Sequence, residues 1–128
     1  MSQHLSLQNF VGGEHRDTAE GRRAELVDPS TGAVFGSAPV SGPEDVDRAY
    51  AAAAAAFETW RNTTPSERQR ALLRLADAVE EHADELVALE SRNTGKPIGL
   101  TASEEIPPMV DQIRFFAGAN FQTAIIIG

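Results

Sequence analysis

Twice in the middle of this chain a hydroxyl residue stands three positions before a glutamate, with a proline between them, and an apolar stripe follows. These are Ser41-Gly42-Pro43-Glu44 and Thr64-Pro65-Ser66-Glu67. In such a capping box the hydroxyl accepts a hydrogen bond from the glutamate N–H, while the glutamate carboxylate reaches back to the first backbone donor. Proline is tolerated there because first-turn amides have no intrahelical partner. After the first box, Val46, Tyr50, Ala53, Phe57 and Trp60 recur at helical spacing and define one apolar face. The alanine run inside it is a strong helix former. After the second box the stripe is Leu72, Leu75, Val79, Leu86 and Leu89, with a slip of phase near His82 that predicts two helices broken there. Gly95 suits a left-handed helix cap and Pro97 stops continuation. A last helix is expected from Ala102 to Ala119, with Pro107-Pro108 in its first turns or kinking it.

The first forty residues read as short strands and turns. Asp28-Pro29-Ser30-Thr31-Gly32 has turn chemistry throughout: proline presets φ, Asp and Ser bond nearby backbone, and glycine accepts a positive φ. The apolar runs Ala24–Val27 and Ala33–Phe35 flank it and predict a hairpin. Gly12-Gly13 marks an earlier turn. Phe121 to Ile127 has the composition of a strand. The expected class is therefore α/β: residues 1–40 form a strand or hairpin arm, 41–119 carry three or four helices, and 120–128 form a divergent tail.

Composition narrows the function. The chain has 128 residues and a net charge of −8, which speaks against a nucleic-acid partner, since phosphate contacts need clustered lysine and arginine. It contains no cysteine, so disulfides, thiolate metal sites and a cysteine nucleophile are excluded. The first ten residues lack the apolar centre of a signal peptide, and no apolar run approaches the ~20 residues needed to span a bilayer. A cytoplasmic location without membrane association is expected. Asn62-Thr63-Thr64 fits a glycosylation sequon, but without a secretory signal it reads as a helix boundary.

Other motifs fail on their chemistry. Gly95-Lys96 resembles part of a phosphate-binding loop, yet Glu90 stands where a glycine is required and Pro97 where a hydroxyl is required. No GxGxxG is present. His4, His15 and His82 lack metal-ligand spacing. Glu104-Glu105 are adjacent on a helix and point to different sides, so they are weak as an acid–base pair. The residues alone describe an acidic α/β chain with no self-contained catalytic constellation.

Several stretches in order resemble the start of an aldehyde dehydrogenase. They are Asn9 to Glu14, Val27 to Gly32, Glu44 to Ala49, Trp60, Glu67-Arg68, Leu89 to Pro97 and Arg114 to Ala119. Each is weak alone; their order and spacing carry the resemblance. The wording of Glu90-Ser91-Arg92-Asn93, and of Glu105-Ile106-Pro107 followed by Val110-Asp111, is similar to the aminobutyraldehyde and betaine-aldehyde branch. The resemblance implies an incomplete part of a Rossmann-like nucleotide-binding domain. It implies oxidation of an aldehyde, such as 4-aminobutyraldehyde, by NAD(P)+ in a homo-oligomeric enzyme. There a cysteine thiolate attacks the aldehyde, hydride passes to the cofactor, and a glutamate-activated water releases the acid. The nucleophile, base, oxyanion asparagine and main cofactor motifs of the family all come later than residue 128. No catalytic or cofactor-binding residue is therefore expected on this chain.

Two lesser family features do fall within it. The resemblance places a structural monovalent cation, K+ or Na+, on the main-chain carbonyls of Leu26 and Val27 and on the side chain of Asn93. It also places Glu105 near a substrate entrance, where a carboxylate attracts an ammonium group. The resemblance stops at Ala119; a truncated or frameshifted reading frame would produce such a tail, and a genuine short product is the alternative. Without later sequence to cover them, the stripes of Val46/Tyr50/Phe57/Trp60 and Leu72/Leu75/Val79 are expected to leave a loosely packed or self-associating species with no NAD(P) affinity. The alternative is a small non-enzymatic helical module that binds a partner through those stripes.

Overall fold

The computed structural model describes residues 4–126. The chain divides into two compact units, Met1–Asn62 and Thr63–Gly128. The helix α1 therefore groups with the strands and not with the later helices.

In the first unit, β1 (Leu5–Ser6), β4 (Arg23–Val27) and β5 (Val34–Pro39) form a sheet of order β1-β5-β4, and β2 (Asn9–Val11) pairs with β3 (Glu14–Arg16) in a separate hairpin. The expected hairpin is β4–β5. Its turn closes as the sequence demands: Asp28 N–H reaches the Ala33 carbonyl at 2.9 Å, and the Asp28 carbonyl accepts from Gly32 at 2.7 Å. The Asp28 carboxylate takes both the N–H and the hydroxyl of Ser30, at 2.8 and 2.6 Å. The parallel strand β1 had no sequence signal. It pairs Leu5 with Gly36 and Ser6 with Ser37. A Cβ at position 36 would lie 2.5 Å from the Leu5 carbonyl oxygen, so only glycine lets β1 approach.

Helix α1 spans Pro43–Trp60. Its cap corrects the sequence reading by one residue. Gly42 is the N-cap, and Asp45, not Glu44, closes the first turn by accepting from Gly42 N–H at 2.9 Å. Ser41 instead accepts from the Asn9 side-chain amide at 2.8 Å. The physical reason is that Pro43 takes the first helical position, which its fixed φ suits best. The apolar stripe of α1 is largely uncovered: Tyr50 is 75% and Phe57 54% exposed, and the Arg61 guanidinium lies over the Phe57 ring.

In the second unit, α2 (Pro65–Glu81) opens on the expected box. Glu67 N–H donates to the Thr64 hydroxyl at 3.3 Å, and Thr64 N–H donates to the Glu67 carboxylate at 2.7 Å. The Thr64 N–H first, then the Thr64 hydroxyl, which donates to the same carboxylate at 2.8 Å, hold the Glu67 carboxyl below its usual range. The break falls where the phase slips: His82 ends α2 and begins α3 (Ala83–Thr94). Gly95 caps α3 at φ 77° with its N–H on the Ser91 carbonyl.

Beyond the cap the chain runs through a short α4 (Ile98–Leu100) and a π-helical turn (Thr101–Glu105) into α5 (Ile106–Ile126). Regular helix thus starts four residues later than expected, with Pro107-Pro108 in its first turn. The wide turn has a local cause. Neither proline has an N–H to offer the carbonyls four residues earlier, and each ring would collide with one of them. Ile106 N–H reaches back five residues to Thr101, which is the π pattern.

The expected strand in the tail is also corrected. Phe121 to Ile126 continue α5, and residues 127 and 128 lie outside the described residues. No strand of the second unit is available to pair with this segment among the described residues, whereas a helix satisfies its backbone internally.

The core of this unit gathers Ala76, Val87, Ile106 and Val110, flanked by Val79, Ala83 and Ile113. Val79 faces inward as expected; Leu75 does not, being 51% exposed, and Ala76 is the fully buried position. A methyl at the contact lets helix axes approach closely. Arg114 ties α5 to α2 through Asp77 and Glu80, at 3.0 and 2.7 Å.

Candidate functional site

Of the residues that sequence reading singled out, Glu105 has the most developed surroundings. It ends the π turn, half-buried, and both its oxygens accept from the Lys96 ammonium, at 2.9 and 3.0 Å. The same ammonium donates to Glu90 at 3.1 Å. The three residues come from the last turn of α3, the loop after Gly95, and the turn that the two prolines widen. Glu105 foremost, then Glu90, raises the Lys96 pKa. Two carboxylates around one ammonium leave the cluster with one net negative charge. Sequence reading missed this cluster, although Gly95 and Pro97 around Lys96 signalled a chain reversal that returns the lysine toward α3.

The other candidates belong to β4 and to the end of α3. Leu26 and Val27 end β4 in the first unit, at a β-bulge where regular pairing with β5 breaks. Bulges re-aim backbone groups away from the ladder. Asn93 is exposed in the last turn of α3, in the second unit. No group of three His, Asp or Glu side chains able to hold a metal occurs among the described residues. His4, His15 and His82 stay apart in sequence; His15 stacks obliquely on Phe10 and His82 faces Glu85 at 3.4 Å.

The first unit also has an open groove of 280 Å³ between the β2–β3 turn and the alanine face of α1, lined by Phe10, Val11, Gly12, Ala49, Ala52, Ala53 and Ala56. Its floor is methyl groups and offers no polar side chain.

A dinucleotide would need a helix N-terminus open to its pyrophosphate. The strand-to-helix passage from β5 to α1 has the right order of elements, but the Asp45 carboxylate already fills that end. It takes Gly42 N–H and also Ala19 N–H, each at 2.9 Å. The contact with Gly42 first, then that with Ala19, lowers the Asp45 pKa. The start of α2 is closed in the same way by Glu67. An incoming phosphate would meet like charge at both ends. No helix among the described residues is long and apolar enough to cross a membrane.

The strands and helices, with apolar side chains exposed on them, give a mixed α/β architecture. The aldehyde dehydrogenase family pattern matches residues 15–124, and the chain belongs to that family. The match runs five residues past Ala119, where the sequence motifs give out.

Among curated relatives, a 2-aminomuconic semialdehyde dehydrogenase of Bos taurus is 41% identical over 115 residues, covering 90% of this chain and 23% of its own length. An aminoacetaldehyde dehydrogenase of Pseudomonas aeruginosa is 40% identical over 115 residues, with 88% and 23% covered. Among solved structures, a gamma-glutamyl-gamma-aminobutyraldehyde dehydrogenase from Burkholderia cenocepacia superposes with a TM-score of 0.87 at 36% identity, covering 93% of this chain and 24% of that one. An NAD+ complex of an aldehyde dehydrogenase from Bacillus cereus gives 0.85 at 34% identity, with 89% and 24% covered. The chain thus spans about a quarter of the length of the relatives it matches.

Proposed function

We propose that this chain serves the NAD(P)-dependent oxidation of an ω-aminoaldehyde, such as 4-aminobutyraldehyde, to its carboxylate. It does so as the helical and hairpin part of a homo-oligomeric cytoplasmic enzyme, and not by itself. One observation carries the reading. The fold is the family's, yet these 128 residues include no cysteine to attack a carbonyl, and both candidate helix ends for a phosphate are occupied by the chain's own carboxylates.

The aminoaldehyde class draws support from relatives whose names carry amino-substituted aldehydes. In such an enzyme Leu26, Val27 and Asn93 are candidate ligands of a monovalent cation. Two peptide carbonyls and an amide oxygen form a neutral, hard donor set, which suits K+ or Na+ better than a divalent ion. Glu105 is a candidate for the substrate entrance, where a substrate ammonium would share its two oxygens with Lys96.

The test is a graft. This chain replaces the matching quarter of the Pseudomonas aeruginosa aminoacetaldehyde dehydrogenase, and NADH formation with 4-aminobutyraldehyde is followed for graft and isolated chain. The graft is expected to turn over and the isolated chain to form none. Turnover by the isolated chain overturns the reading. So does a folded, soluble graft that is inert, which would favour the alternative of a non-enzymatic module acting through its exposed helix faces.

A further inference from the structure

The sequence contains a single lysine, Lys96, beside ten arginines. Apart from the N-terminal amine it is the only primary amine on the chain. Condensation with an aldehyde needs such an amine in its neutral form. The nitrogen lone pair adds to the carbonyl carbon, the carbinolamine loses water, and an imine remains. Guanidinium groups stay protonated at neutral pH and do not follow this course.

Lys96 is not presented as a free amine. Its ammonium makes three contacts to two carboxylates, at 2.9 and 3.0 Å to Glu105 and 3.1 Å to Glu90, and its side chain is 33% exposed. Each contact spends an N–H on an oxygen, so the proton that must leave before attack is held by charge-assisted hydrogen bonds. The clasp joins elements that local forces fix independently. Gly95 turns the chain back at the end of α3, and the two prolines widen the turn that presents Glu105.

We propose that the clasp of Glu90 and Glu105 withholds the chain's one lysine amine from condensation with aldehydes. The chemical claim stands on the clasp alone, whereas its benefit rests on the aldehyde-oxidising reading above: a protein that handles aldehydes gains by keeping its own amines out of reach. The raised pKa of Lys96 agrees with it.

The test is reductive methylation of the full chain with formaldehyde and cyanoborohydride at neutral pH, read by peptide mass spectrometry. Each imine takes up hydride at carbon and a proton at nitrogen, which leaves a stable methylamine. The N-terminal amine is the internal standard. Unfolding in urea is expected to raise the Lys96 rate relative to that standard by about tenfold or more, the factor set by losing a charge-assisted hydrogen bond of ordinary strength. In the native state Glu105→Gln raises the ratio several-fold, Glu90→Gln less, and Glu104→Gln, outside the clasp, leaves it unchanged. Equal ratios in native and unfolded chain overturn the proposal. So does protection that survives both clasp substitutions, which would assign it to burial.

Should the variants fail to fold, the wild type still decides. One lysine gives one ε-methylene NMR signal, and its titration midpoint must lie higher in buffer than in urea; coincident midpoints sink the clasp. None of these outcomes depends on NADH formation, so failure here is distinct from failure of the graft.

Discussion

Among the described residues, the buried side chains of the first unit are Phe35, Thr18 and Asp45; those of the second are Ala76, Val87, Ile106, Val110 and Ala117, with Thr101. The first unit is held by directed contacts. Arg23 alone donates to Ser37, Asp17, Ser6 and the Leu7 carbonyl, and Asp45 pins the start of α1 to Ala19. The second has an aliphatic cluster in which three helices meet. A net hydrogen bond contributes only ~0.5–1.5 kcal/mol, whereas each large aliphatic side chain removed from water contributes ~1.5–3 kcal/mol. The second unit therefore carries a nucleus of its own. The first relies on geometry that a few side chains must hold, while Phe10, Tyr50, Phe57 and Trp60 remain outward.

The contrast is broken most directly in the aliphatic cluster. Ile106→Ala should destabilise the second unit by about 2–5 kcal/mol through lost burial and a residual cavity. Hydrogen exchange of amides in α2 and α5 should report it, with the amides of β4 and β5 unaffected. A uniform rise across both units would mean that they unfold as one. Gly36→Ala is the corresponding strike at the first unit. Its Cβ would meet the Leu5 backbone, so strain of about 1–3 kcal/mol is expected to release β1. Loss of exchange protection at Leu7 N–H, which bonds the Ser37 carbonyl at 2.9 Å, is the readout.

Acid sharpens the comparison further. The Asp45 carboxyl titrates below its unfolded value in the folded chain. Its contribution is therefore fully present above the ordinary aspartate range and is lost as pH falls through the lowered folded value. Protection at Ala19 and Gly42 N–H should fade in that acid window, and Asp45→Asn should remove the dependence. An unchanged acid profile in that variant would show that Asp45 does not couple the loop to α1. The smallest effect has the opposite sign. The Thr101 hydroxyl is buried without a hydrogen-bond partner among the described residues, so Thr101→Val should stabilise the second unit by on the order of 1 kcal/mol. A lower melting temperature would instead reveal a partner for that hydroxyl.

Legibility in the sequence followed the span of each contact. Thr64 and Glu67, Asp28 and Ser30, and Gly95 with its left-handed turn act within about one turn of chain, and sequence reading placed all three devices. The break at His82 was legible because a phase slip in an apolar stripe is itself local. The cap of α1 was read one residue early because serine and glutamate satisfied the pattern as well as glycine and aspartate do. The choice depended on Asn9 taking the serine hydroxyl and Ala19 taking the aspartate, contacts across 32 and 26 residues. Leu75 was expected inside for a similar reason: a stripe defines a face to within one residue, and the helix that crosses it selects which residue lies beneath.

By itself the sequence determined the helices, the β4–β5 hairpin and the absence of any thiol, because propensity, capping and composition act through neighbours along the chain. Only the tertiary structure decided that β1 lies on Gly36, that Phe121 to Ile126 continue a helix, and that Lys96 closes on Glu90 and Glu105. Those outcomes turn on which backbone comes close enough to touch or to pair. Distance in space, once the chain has turned back on itself, is not written in the order of its residues.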